Sequence, residues 1–150
     1  MSAVTETRIR IVVDGAPKPK GSLRHIGRGR LVEQVKGSGT WRSRVALAAR
    51  QQYHGEPITT AAVVDFEIRV QPPKSAPKRR ITLPITRSSG DIDKHARNVC
   101  DALVDGGVLA DDSRVVDLRA RKRHCLPGEI PGAVVEVWAV GSRGPAGVVA

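Results

Sequence analysis

The sequence predicts an α+β fold: a mixed sheet of about five or six strands with two helices packed on it. Three observations predict it. Several short segments alternate apolar and polar residues, two longer segments carry apolar residues three and four apart, and Gly- and Pro-rich breaks separate them. A chain of 150 residues is expected to form one domain, residues 1–150, with a sizeable core.

Thr7 to Val13 reads as a first strand, with Ile9, Ile11 and Val13 on one face. Asp14 to Ser22 contains Pro17, Pro19, Gly15 and Gly21 and reads as a loop. Leu23 to Val35 reads as a basic hairpin turning at Gly27-Arg28-Gly29. A helix is expected from a Thr40 cap to about Tyr53, with Trp41, Val45, Ala48 and Gln52 on one stripe. Ala61 to Val70 is the clearest strand, with Val64, Phe66, Ile68 and Val70 buried and Asp65, Glu67 and Arg69 opposite. Gln71 to Gly90 has no clear element; it carries four prolines together with Lys74, Lys78, Arg79, Arg80 and Arg87.

Ile92, Ala96, Val99 and Leu103 then form the apolar face of a second helix, which Gly106 and Gly107 end. Ser88, Ser89 or Asp91 is the expected cap. Arg114 to His124 alternates, which predicts a strand with Val116, Leu118 and Ala120 on its buried face. Pro-Gly signals at 127–128 and 131–132 predict a turn. Ala133 to Val140 predicts a last strand that is apolar on both faces, hence central or covered by a partner. Residues 1–6 and 141–150 are expected to be loose tails.

The 25 Lys and Arg outnumber 15 acidic residues, giving net charge +10 and a pI near 10.6. Such a balance points to a polyanionic partner, nucleic acid or an anionic membrane face. No apolar run approaches the ~20 residues of a spanning helix. No secretory signal pattern opens the chain, so a cytoplasmic location without membrane insertion is expected. Cys100 and Cys125 stand alone rather than in a Cys-x-x-Cys motif, and the four histidines are dispersed, so a zinc site has no support. Aromatics make up 3% of the chain, too few for a single-strand stacking platform. Recognition of nucleic-acid backbone and shape fits better.

Against this basic background, seven of the 15 acidic residues fall between Gly90 and Asp117. Asp91 and Asp93 sit at the mouth of the second helix, and Asp93, Arg97 and Asp101 lie four apart on one flank. Asp111 and Asp112 precede the following strand. Aspartates on rigid element ends suit magnesium, which takes one or two carboxylates and keeps several waters. Arg97 or Lys94 beside them could stabilise a phosphate in a transition state. The same spacing is equally compatible with a helix cap, a solvated turn and surface ion pairs.

Asp91-Ile92-Asp93, Asp101-Ala102-Leu103, Gly107 and Asp111-Asp112-Ser113-Arg114-Val115 together resemble the signature of the RusA family of Holliday-junction resolvases. The resemblance implies that Asp91, Asp93 and Asp112 are catalytic metal-binding carboxylates, with Asp111 close by. It implies magnesium, or manganese in its place, as cofactor. It further implies a homodimer that cuts paired phosphodiester bonds of four-way junctions in recombination and repair. The loop bearing Lys18 and Lys20 would lie near the active site. Two positions depart from the pattern: Lys94 stands where the family has Asn, and Arg97 where it has a catalytic Lys. Arginine keeps the charge but does not give up its proton, so its role would be electrostatic. Lys18, Lys20, Lys78, Arg79, Arg80, Arg87, Lys94, Arg119 and Arg121 are the expected DNA contacts. Two rivals remain: a branched-DNA-binding protein that does not cut, and a nuclease for forks or flaps.

Overall fold

The computed structural model describes residues 7–21, 23–25, 31–33 and 37–141. A four-stranded sheet runs in the order β1 (Ile9–Asp14), β6 (Gly132–Ala139), β4 (Ala62–Val70), β5 (Val115–His124). The β1–β6 and β6–β4 pairs are antiparallel, and β4–β5 is parallel. Helices α1 (Ser38–Gln52) and α2 (Ile92–Asp105) complete the core. Two short strands, β2 (Leu23–His25) and β3 (Leu31–Glu33), pair with each other as a separate two-stranded sheet.

The sheet therefore has four strands, not the five or six expected. The hairpin accounts for the difference. Its strands are three residues long and form a separate two-stranded sheet. The turn expected at 27–29 and both tails, 1–6 and 142–150, lie outside the described residues.

Alternation explains the sheet. Ile11, Val13, Val64, Phe66, Ile68, Ala133, Val135 and Val137 share one face and are buried. Trp41, Val45 and Ala49 of α1 and Ala96, Val99 and Leu103 of α2 complete the same core. Burying one large aliphatic or aromatic side chain contributes roughly 1.5–3 kcal/mol. The last strand is apolar on both faces because it is central, between β1 and β4. Its Trp138 lies on the other face of the sheet, buried beneath the Arg8 guanidinium 4.0 Å above its ring.

Two helix starts differ from expectation. α1 begins at Ser38, after a left-handed Gly37, so Thr40 lies inside it and is not its cap. Asp91 occupies the cap position of α2 without a side-chain cap bond. Where α2 ends, Gly106 lets α1 come close: a Cβ there would sit 2.7 Å from Ala49 Cβ and 2.9 Å from the Ala46 carbonyl.

The expected buried face of β5 is a correction. Val116 and Leu118 are 66% and 45% exposed, while Val115 and Ala120 pack on the core. The register shifts where Ala62 pairs with Val115 but Val63 pairs with Asp117. One residue of β5 is left over there, and simple alternation fails. β5 is also an edge strand, so its exposed apolar residues have no neighbouring strand.

Candidate functional site

α2 is the crossover between two parallel strands, and it carries one wall of a cleft. Asp93, Ala96, Arg97, Cys100 and Asp101 line that wall, and Asp112 and Val115 to Leu118 line the other. The cleft measures about 390 Å³. Asp93, Arg97 and Asp112 are exposed to its solvent, and Arg97 makes no ion pair with the described residues. Asp93 stands in the first helical turn, where the positive end of the helix dipole favours a carboxylate.

Asp91 is delivered by a tightly held turn. Lys122 of β5 donates from Nζ to the Gly90 carbonyl at 2.7 Å and to Ser89 Oγ at 3.0 Å. Ser89 Oγ donates in turn to the Thr86 and Pro84 carbonyls. His95, fully buried, donates from Nε2 to the Ser89 carbonyl at 2.6 Å, which leaves its Nδ1 without a partner. Burial pushes the His95 pKa down, against the Ser89 hydrogen bond, so the ring is neutral and fixed in one tautomer. Gly90 adopts φ 80°, and a Cβ there would meet His95 Nε2 at 2.6 Å and Pro19 Cγ at 2.7 Å. Only glycine fits such a place without displacing its neighbours.

The loop with Lys18 and Lys20 lies along α2. Lys20 donates its backbone N–H to the Lys94 carbonyl at 3.1 Å, and Asn98 donates to the Lys18 carbonyl at 2.9 Å. Asp101 is engaged within the fold, 2.8 Å from Lys20 Nζ and 3.6 Å from Arg42. Arg42 also forks onto Asp105 at 2.6 and 3.1 Å, which pulls the Asp105 pKa down and ties α1 to α2.

The cleft brings together Asp93, Asp112 and Arg97 from the expected set. Asp91 and Asp111 are not among its lining residues. Asp91 pairs with Lys94 at 3.8 Å. Asp111 accepts from the Ser113 N–H at 3.1 Å and caps the short turn Asp112–Arg114, and hydrogen bonds from the Ser113 hydroxyl and then its N–H lower the Asp111 pKa. Asp117, which was not singled out in the sequence, also lines the cleft and pairs with Arg119 at 3.1 Å. Its place follows from the strand bulge, which no spacing rule reveals. Burial, with Asp112 and Asp101 nearby, pushes the Cys100 thiol up to about 11, so it is inert at neutral pH.

Among the described residues no three His, Cys, Asp or Glu are grouped closely enough to enclose a metal ion. Two carboxylates in an open, solvated cleft nevertheless fit magnesium, which binds through one or two of them and retains water.

Of the nine expected DNA contacts, Lys20 and Lys94 pair with Asp101 and Asp91, Lys18 is exposed, and the other six fall into two groups. Lys78, Arg79, Arg80 and Arg87 are exposed and make no ion pair with the described residues. Arg119 and Arg121 are tied down at the sheet, Arg119 to Asp117 and Arg121 to Asp65 at 3.0 Å and Glu67 at 3.7 Å. Among the described residues no helix is long and apolar enough to cross a membrane.

None of the curated proteins matches the chain. The family described as Endodeoxyribonuclease RusA does match, over residues 14–138, a span that begins at the end of β1 and takes in both helices, β4, β5, nearly all of β6 and both walls of the cleft. The chain belongs to the RusA endodeoxyribonuclease family.

Proposed function

We propose that this protein is a magnesium-dependent nuclease that resolves four-way DNA junctions as a homodimer, cutting one phosphodiester bond on each of two opposed strands. The observation that carries the reading is that Asp93 and Arg97 of α2 and Asp112 ahead of β5 line one cleft. Asp93 and Asp112 are the residues that would hold magnesium, with Asp91 beside Asp93 and Asp111 beside Asp112 as further oxygen donors. Magnesium supplies a more acidic water and charge neutralisation at the leaving oxygen. Arg97 supplies fixed positive charge to the phosphate. It replaces a family lysine and acts electrostatically, since guanidinium stays protonated. Lys94, already close to Asp91, supports the same charge balance.

The exposed cations of the loop before α2 neutralise phosphates, which makes binding salt-dependent. A two-fold dimer matches the two-fold symmetry of a four-way junction. The decisive experiment compares cleavage of a four-way junction, a fork and a linear duplex, with magnesium and with chelator. Paired nicks in the junction, present only with the metal, are expected. Binding without cleavage would assign the protein to recognition alone, and preferred cutting of forks would change the substrate.

A further inference from the structure

The segment Ile81 to Ile85 presents apolar side chains that none of the described residues covers. Ile81, Leu83 and Ile85 are 87%, 66% and 87% exposed, while Thr82 between them is half-buried and Pro84 is buried. The segment is anchored from below. Thr82 Oγ1 lies 2.7 Å from His124 Nδ1, and the Pro84 carbonyl accepts from Ser89 Oγ at 2.8 Å. Ile85 donates its N–H to the Leu83 carbonyl at 2.9 Å, which tightens the bend. Polar and proline positions face inward, and aliphatic ones face outward. Water contact with three branched side chains is unfavourable, so an occupant is implied.

The flanking charge selects the occupant. Lys78 to Arg80 precede the strip and Arg87 follows it, all exposed and without ion pairs among the described residues. A second copy of this chain, packed strip to strip, would bring these cations against their equals. A polyanion would satisfy them. The apolar surfaces a nucleic acid offers are the faces of its bases, and these become accessible where stacking is interrupted. Ile85 stands six residues before Asp91, the cap position of α2, and α2 carries one wall of the cleft.

Resting on the nuclease reading above, we propose that Ile81, Leu83 and Ile85 form a wedge that packs against bases unstacked at the branch point of the DNA, while the flanking cations hold the adjoining phosphates. Aliphatic side chains inserted between base steps stabilise an opened duplex in this way. The wedge would fix the branch relative to the cleft and give selectivity for branched over linear DNA.

The test uses the full-length protein in chelator and a four-way junction carrying 2-aminopurine at the branch or, as a control, in mid-arm. The wild type is expected to raise fluorescence severalfold at the branch and not in the arm. The variant Ile81→Ser/Leu83→Ser/Ile85→Ser should keep its melting temperature and its duplex affinity. It should lose the branch signal, and its junction-over-duplex affinity ratio should fall about tenfold. The single variant Leu83→Ser, read the same way, serves where the triple variant melts early. A variant with undiminished branch signal and ratio would overturn the wedge. So would a wild type that binds junctions with a silent branch probe, or a variant that sediments as a monomer where the wild type is a dimer. The last result would assign the strip to a second copy. A wild type that binds junctions no better than duplex would instead overturn the nuclease reading on which the wedge rests.

Discussion

Lys122 Nζ lies 2.7 Å from the Gly90 carbonyl oxygen, so a cation on the edge strand holds the residue that immediately precedes Asp91. The bond ties β5 to the start of α2, the two elements that form the cleft. Lys122→Met keeps the aliphatic stem and removes both hydrogen bonds. Charged hydrogen bonds of this kind contribute about 1.5–3 kcal/mol, and a loss of that size is expected in urea unfolding. Single-turnover cleavage should slow more than junction affinity falls, because the turn bearing Asp91 loosens while the cationic loop stays intact.

Asp112→Asn keeps the shape of the cleft and removes one of its negative charges, one that makes no ion pair with the described residues. Cleavage should drop by roughly a hundredfold or more, with junction affinity nearly unchanged. Magnesium should raise the melting temperature of the wild type by binding the folded form, and the shift should shrink in the variant. A variant that cuts normally would remove Asp112 from the machinery.

The path of DNA can be read from salt dependence. Alanine at Lys78, Arg79, Arg80 or Arg87 should each reduce the slope of log affinity against log salt by about 1. Arg121→Ala should leave the slope unchanged and lower stability instead, because Asp65 and Glu67 already hold that side chain. The opposite pattern would place the DNA across the open face of the sheet.

Acid should weaken the end of the sheet near Glu129. Arg123 forks onto its carboxylate at 2.6 and 2.7 Å, and with the Leu126 N–H this holds the Glu129 pKa down at about 2 against an ordinary 4.5. A carboxyl depressed by folding stabilises above its unfolded value and loses that contribution as pH falls toward the folded one. Melting temperature should therefore decline between pH 4.5 and about 2. Glu129→Gln should start from a lower melting temperature and show a shallower decline across that window.

The sequence was most legible where one residue type had one job. Val64, Phe66 and Ile68 alternate with Asp65, Glu67 and Arg69, and the strand they predict is the one observed. Gly106 and Gly107 end α2 where expected, because no side chain fits against α1 at the first. The pair Asp111 and Asp112 reads as two equal acids. The fold separates them: one carboxylate is turned to the Ser113 N–H, and the other faces the cleft. Asp117 was hidden by the register shift opposite Val63, and a bulge leaves no mark on composition. Lys122 and His95 also escaped notice, since their importance lies in bonds to Ser89 and Gly90 that only the tertiary arrangement creates.

The ladder between β1 and β6, which sets Ile9 against Val137, joins the first and the last strand of the described sheet in chain order. Closing so long a stretch of chain loses more entropy than any other step in assembling the sheet, and folds dominated by distant contacts form slowly. The unit from β4 through α2 to β5 needs no such closure, so the walls of the cleft can form before the first strand arrives. Rejoining the ends and opening the chain between α1 and β4 would turn the most distant pairing into a hairpin. Refolding should then speed up while the cleft keeps its geometry.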